Sequence, residues 1–206
     1  MSEHSSPPEH YFSTETNAPS APKRVTFTFA DRQIEMDTDR GVFSYGAIDK
    51  GTAVLLRNAP IPPVGTALDL GCGAGALTLA MAISQPQTTV YGIDVSERAL
   101  QLTKANAQLN SAPNVIVARP ETIDPSLRFE TIWSNPAIRI GKAALHEMLL
   151  QWLNRLTETG QAWLVVQKNL GADSLQKWLG DQGFIATRVA SEKGFRVLRV
   201  THVRSG

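Results

Sequence analysis

Cysteine is almost missing from this chain of 206 residues, which has a single one, Cys72. One thiol forms no internal disulfide and builds no thiolate metal cluster. Long apolar runs are missing too. None approaches the roughly 20 residues of a membrane-spanning helix, and the N-terminus lacks the apolar segment of a secretory signal, so a cytoplasmic location is expected. Neither sign of charge is in excess. The formal net charge of +1 rules out a whole surface that attracts nucleic acid, and any such contact has to come from a local patch. His4, His10, His146 and His202 show neither metal-ligand spacing nor a Ser-His-Asp arrangement. What is present is ordinary for one α/β domain with a sizeable core: 42% hydrophobic and 19% charged residues.

The chain is organised around Thr66–Ala82, TALDLGCGAGALTLAMA. It reads as a buried strand (Ala67–Leu70), a turn containing Gly71, Gly73 and Gly75, and an apolar helix. Glycine suits a sharp turn that a ligand must approach with no Cβ in the way, and the following helix aims its free N–H groups at that ligand. Gly71, Gly73 and Ala76 also satisfy the relaxed dinucleotide fingerprint. Asp69, just before the first glycine, argues against a pyrophosphate. A carboxylate there repels phosphate and suits a ligand with cationic groups. S-adenosylmethionine (SAM) carries a sulfonium and an ammonium and no phosphate. A dinucleotide, or a tight turn with no ligand, are the alternatives.

Residues 1–22, rich in Ser, Pro, Glu and Thr, read as mostly disordered or loosely draped, with Tyr11 and Phe12 either docked on the domain or simply exposed. Val25–Phe29 and Ile34–Met36 alternate as a β-hairpin around Ala30–Gln33. In Gly41–Ala59, Asp49 is placed to cap a helix over Thr52–Arg57. Phe43 and Tyr45, ahead of it, either fold over the cofactor or anchor the hairpin to the core. Strands follow at Thr89–Ile93, Asn114–Ala118, Phe129–Trp133 and Ala162–Gln167, and helices at Ser96–Asn110, Gly141–Leu156 (stopped by Gly160) and Ser174–Gly180. Phe184–Ala190 and Phe195–Val200, closely connected, pair antiparallel. Trp133, Trp152, Trp163 and Trp178 fall at core periodicity. The domain thus spans residues 23–206, with a hairpin and lid over 23–63 and a Rossmann-like core over 64–206.

In doubly wound sheets the ligand sits at the carboxyl ends of the central strands. Asp69, Asp94, Glu121 and Asn135 all fall at such ends. Asp94, roughly 20 residues past the glycine turn, is placed for ribose hydroxyls, or as a helix N-cap. Glu121 lies where an adenine edge would be, although solvated loop acids are common. Asn135-Pro136 carries the chemistry. An exocyclic amine is a poor nucleophile because its lone pair is delocalised into the ring. The Asn135 amide oxygen and the Pro136 carbonyl can each accept one N–H, hold the amine and favour its tetrahedral geometry. The alternative is an Asn-Pro turn that only ends a strand. Arg139 and Lys142 follow directly and suit phosphate. Lys168, Lys193, Arg196 and Arg199 are further cations near strand ends.

GVFSYGAIDKGT (Gly41–Thr52), LDLGCGAG (Leu68–Gly75), GIDVSERAL (Gly92–Leu100), SNPAIRIGK (Ser134–Lys142) and GFRVLRV (Gly194–Val200) together resemble the class I SAM-dependent methyltransferases. Within them they resemble the RsmC-like ribosomal RNA guanine-N2 methyltransferases in a short single-domain form. The resemblance covers the chain from about Tyr11 onward. It implies a Rossmann-like, seven-stranded, mostly parallel sheet with helices on both faces and an antiparallel C-terminal hairpin. It also implies SAM as donor and a base amine in RNA as acceptor. The cofactor residues are then Asp69, Gly71, Cys72, Gly73, Gly75, Asp94, Val95, Glu121 and Phe43. Asn135 and Pro136 are catalytic, Ile138, Arg139 and Lys142 face the substrate, and no metal takes part. The family usually reads Asn-Pro-Pro, where this chain has Ala137 followed by Ile138. That departure keeps open a SAM-binding module without catalysis that partners RNA or protein. Adenine N6 or a protein glutamine amide are alternative acceptors, and an NAD-linked oxidoreductase is the outside alternative.

Overall fold

The computed structural model describes residues 19–136 and 141–203. The expectations placed on Tyr11, Phe12, His4, His10, Ala137, Ile138 and Arg139 lie outside those residues. The described elements are β1 (Lys23–Phe29), β2 (Arg32–Thr38), α1 (Lys50–Asn58), β3 (Thr66–Leu70), α2 (Ala76–Ser84), β4 (Thr89–Ile93) and α3 (Glu97–Leu109). There follow β5 (Val115–Ala118), β6 (Phe129–Ser134), α4 (Lys142–Leu153), β7 (Leu156–Gln167), α5 (Ala172–Asp181), β8 (Phe184–Glu192) and β9 (Phe195–His202).

β3 to β9 form one seven-stranded sheet in the order β5-β4-β3-β6-β7-β9-β8. The strands are parallel from β5 across to β7, and β9 runs antiparallel to both β7 and β8. This is the Rossmann-like arrangement that the motifs imply. The strand order reverses between β3 and β6, and a ligand crevice opens at such a switch point. The carboxyl ends that meet there carry Gly71 and Asn135.

Side-chain alternation assigns the two faces of the sheet. On β3, Ala67 joins the cluster under α1, α2 and α3, whereas Leu68 and Leu70 join the cluster under α4 and α5. On β6, Trp133 faces the first cluster and Ile132 the second. Asp69 is in phase with Ala67, so it lies beneath α2 rather than α4.

The hairpin is a separate two-stranded sheet paired Phe27 to Ile34. Its turn is tighter than the span Ala30–Gln33. Only Ala30 and Asp31 make it, at φ 47° and 60°, the left-handed pair that matches the twist of a two-residue hairpin. Ile34 and Met36 are buried, each worth roughly 1.5–3 kcal/mol. The exposed Arg24–Asp37 pair is worth about 0–1 kcal/mol, so apolar docking holds the hairpin down. Register is set by two asparagines one turn apart, Asn106 on α3 and Asn110 at its C-terminal cap. Asn106 Oδ1 accepts the Asp37 N–H (2.8 Å) and its Nδ2 donates to the Asp37 carbonyl (2.8 Å). Asn110 does the same at Glu35 (3.2 and 2.6 Å). Two side-chain amides thus continue the β2 ladder.

Three other expectations are corrected. Ser20 and Ala21 are not loose, because both donate to the Asp39 carboxylate, at 2.9 and 2.7 Å. Helix α4 ends at Leu153, and Gly160 does not stop it. Leu156 already pairs with Phe129, Gln161 pairs with Thr131, and the strand bulges between them. A Cβ on Gly160 would sit 2.7 Å from the Phe129 carbonyl, which is why the bulge carries glycine. Arg196 is buried and ion-paired with Asp173, so it is not a free cation for phosphate.

Candidate active site

Gly71, Gly73 and Gly75 have φ of 80°, 56° and 90°, which brings the chain round from β3 into α2. The Gly71 and Cys72 N–H groups both donate to the Ile93 carbonyl at 2.9 Å, tying the turn to the end of β4. Gly75 caps α2 without a side-chain bond. Asp69 supplies the missing cap from the strand before. Its Oδ2 accepts both the Thr78 N–H (2.9 Å) and the Thr78 hydroxyl (2.6 Å). Its Oδ1 is buried and has no partner. Burial pushes the Asp69 carboxyl up to about 7, the Thr78 bonds oppose that rise, and the Asp94 charge adds to it.

Beside this turn opens a small cleft. Its lining includes Asp69, Gly71, Cys72, Ala74, Ala76 and Leu77 from β3, the glycine turn and α2, and Phe43, Ser44, Asp49, Thr52 and Asn135 from the segment before α1, from α1 and from the end of β6. Ala76 and Leu77 open α2, where backbone N–H groups have no partner within the helix. An unpartnered carboxylate oxygen beside a helix N-terminus fits the ammonium and carboxylate of an amino-acid moiety such as SAM carries. A Cβ on Gly71 would meet nothing within 4 Å, so there is room against that backbone. Burial raises the Cys72 thiol well above its ordinary value, which suits a neutral wall and not a nucleophile.

The polar rim expected from the sequence is only partly assembled. Asp69 and Asn135 share the cleft. Asp94 is not the N-cap of α3, a place taken by Ser96, whose side chain accepts from Ala99 N–H. Instead Asp94 accepts from Gly73 N–H (3.0 Å) and Ser96 N–H (2.9 Å), and so braces the glycine turn. Val95 follows it, half-buried. Glu121 pairs with Arg119 on the surface and does not line the cleft. Lys142 is exposed in the first turn of α4. Pro136 is buried next to Asn135.

The aromatics of the lid are exposed, Phe43 at 61% and Tyr45 at 44%, so they do not anchor the hairpin in the core. The Phe43 Cβ lies over the glycine turn, 3.8 Å from where a Gly73 Cβ would be. Met36, on the hairpin, also lines the cleft, a role that alternation alone did not suggest.

Asp49 caps α1 as its sequence predicts, accepting from Gly51 N–H (2.7 Å) and Thr52 N–H (3.1 Å). The same Oδ2 accepts from Asn135 Nδ2 at 2.7 Å, and Thr52 Oγ1 accepts from that Nδ2 at 3.0 Å. Both hydrogens of the amide are thereby taken. Nothing in the sequence pairs residues 49 and 135. A polar side chain one turn into a capped helix was the only available signal. Among the described residues, no group of three or more His, Cys, Asp and Glu could hold a metal ion, and no helix is long and apolar enough to cross a membrane.

The family described as methyltransferase small domain matches residues 33–199. The chain is 31% identical over 199 residues to the uncharacterized protein YbxB of Bacillus subtilis, covering 95% of this chain and 99% of that protein. It is 30% identical over 152 residues to the ribosomal RNA small subunit methyltransferase C of Pseudoalteromonas translucida, covering 72% of this chain and 45% of that one. The solved structure of the T. thermophilus 16S rRNA N2 methyltransferase RsmC, in complex with AdoMet and guanosine, superposes with a TM-score of 0.72 at 22% identity. It covers 90% of this chain and 52% of that one. The chain thus spans about half the length of the ribosomal RNA methyltransferases that it matches.

Proposed function

This chain belongs to the methyltransferase small domain family, is a SAM-dependent methyltransferase, and from that membership we propose that it methylates an exocyclic amine of a base in RNA, guanine N2 of ribosomal RNA in particular. The observation that carries this reading is the cleft that Asn135 shares with Asp69 and the glycine turn. An amide acceptor and a cation-seeking carboxylate line one crevice. The ribosomal RNA methyltransferases among the relatives and the RsmC structure with guanosine support RNA as the substrate class.

Asp69 Oδ1 and the first N–H groups of α2 would hold the amino-acid end of SAM, and Asp94, bound to the glycine turn, is the residue for its ribose. When bound, the cofactor supplies an electrophilic methyl group on a cationic sulfur. Asn135 Oδ1 and the Pro136 carbonyl each accept one N–H of the amine. That grip holds the nitrogen lone pair out of the ring plane, and such alignment is worth up to roughly 7–11 kcal/mol of a barrier. Phe43, over the glycine turn, restricts water. Lys142, exposed at the start of α4, and Arg139, which follows Asn135-Pro136 in the sequence, are the cations for RNA phosphate.

Incubation with methyl-labelled SAM and ribosomal RNA tests the reading. Label enters the RNA with the wild type, disappears with Asn135→Ala, and maps to guanine N2. SAM binding with no transfer to RNA overturns it in favour of a binding module. Transfer to adenine N6 or to a protein overturns the choice of acceptor.

A further inference from the structure

We infer that Asp49 and Thr52 are positioning residues that lock the Asn135 amide with its oxygen toward the cleft, so that the site accepts only acceptors that donate hydrogen bonds. The inference rests on the amine-gripping role of Asn135 given above and narrows it to a substrate class.

The lock follows from which atoms are able to donate. An ionised carboxylate only accepts. Asp49 Oδ2 stands 2.7 Å from Asn135 Nδ2, and turning the amide over would set oxygen against oxygen at that distance. Thr52 Oγ1, on a buried residue, accepts the second hydrogen at 3.0 Å. The holder is rigid in its turn. Asp49 is fixed by the two N–H groups it caps. A Cβ on Gly51 would sit 3.0 Å from the Phe195 ring, so the start of α1 packs closely on β9. At the far end of α1, Arg57 pairs with Glu192 at 2.6 Å. The segment ahead of the fold's core therefore decides which end of the amide the acceptor meets. With both amide hydrogens taken, Oδ1 is the only polar atom that the Asn135 side chain still has to offer. An NH₂ group meets that acceptor. A ring nitrogen without a hydrogen, or a carbonyl, meets a lone pair and is refused.

Asp49→Ser combined with Thr52→Val tests this in the full chain. Serine remains a good helix cap, but its shorter side chain does not reach Asn135, and valine keeps the shape of threonine without the acceptor. Asp49→Asn retains an oxygen for both tasks and serves as the rescue. The first readout needs no substrate. In NMR spectra the Asn135 side-chain NH₂, assigned by its loss in Asn135→Ala, exchanges slowly with water in the wild type and in Asp49→Asn. In the double variant it exchanges at the rate of a free amide. The second readout is methyl transfer: kcat falls about tenfold or more in the double variant, as for a misplaced reactive group. KM for SAM stays within about twofold, and Asp49→Asn recovers kcat. A freely exchanging Asn135 amide in the wild type overturns the lock. So does wild-type kcat in the double variant, or kcat and SAM affinity falling together. A wild type with a protected amide and no transfer to RNA upholds the lock while the RNA reading fails. An active wild type with a free amide does the reverse.

Discussion

Asp69 and Thr78 form a closed pair in which one carboxylate oxygen takes both the N–H (2.9 Å) and the hydroxyl (2.6 Å) of the threonine, and the other oxygen keeps no partner. Burial raises this carboxyl to about 7. A ligand ammonium at Oδ1 needs the ionised form, so binding below pH 7 expels a proton. The dissociation constant of S-adenosylhomocysteine, which keeps the ammonium, is expected to weaken about tenfold per pH unit below 7. Calorimetric titration between pH 5.5 and 7.5 measures it, and Asp69→Asn is expected to give a flat, weak profile. A flat profile in the wild type contradicts the assignment. In the protein without cofactor, the folded state holds this proton more tightly than the unfolded chain, whose Asp titrates near 3.9. The contribution of Asp69 to stability therefore declines as pH rises from about 4 to about 7.

Asp39 has the opposite sign. The Arg98 guanidinium, 2.8 Å away, holds its carboxyl down at about 2, against the opposing effect of its burial and helped by the N–H of Ala21, the Ser20 hydroxyl and the N–H of Arg40. Its contribution to stability is fully present above about pH 4 and is lost as pH falls through about 2. Asp39→Asn is expected to remove that acid limb from urea midpoints recorded between pH 2 and 5. An unchanged limb would assign acid sensitivity to other carboxylates.

Asn106 and Asn110 make the same bonds to β2, but only Asn106 is buried and also donates to the Ala74 carbonyl, at 2.9 Å. Asn106→Ala is expected to cost about 2–4 kcal/mol, since several buried partners are left unpaired, and to weaken SAM binding because Ala74 lines the cleft. Asn110→Ala is expected to cost under about 1 kcal/mol and leave binding intact. Urea melts with parallel titrations compare them, and equal effects would show that the glycine turn does not depend on this contact.

Gly71 and Gly75 separate ligand space from packing. Both have left-handed φ, 80° and 90°. A Cβ on Gly75 meets Thr103 Cγ2 at 2.9 Å, whereas one on Gly71 meets nothing within 4 Å. Gly75→Ala is expected to lose about 2–5 kcal/mol from strain plus overpacking. Gly71→Ala is expected to lose about 1–2 kcal/mol yet to lose SAM affinity out of proportion. Retained affinity in Gly71→Ala would move the ligand off this backbone.

Much of the architecture was legible beforehand because strand periodicity, glycine spacing and turn residues are local signals. Thr89–Ile93 is observed with the bounds read from the sequence, and Asp49 caps the helix that its side chain predicts. Gly160 misled because a glycine after an amphipathic run reads as a stop. Its true constraint is the Phe129 carbonyl, on a strand about thirty positions earlier. At Glu121 the strand pattern placed the residue near the rim but held no sign that its carboxylate pairs with Arg119.

By itself the sequence determined the turn after β3, the acid ahead of it and the Asn-Pro step after β6, since each depends on neighbours within a few residues. Tertiary structure alone decided that Asp69 keeps an oxygen without a partner, that Asn106 ties the hairpin to the glycine turn, and that Asp49 and Thr52 take both hydrogens of Asn135. Those contacts join segments that meet only once the sheet has ordered its strands. Hydrogen bonds between such segments follow distance and angle, and no periodicity along the chain encodes either.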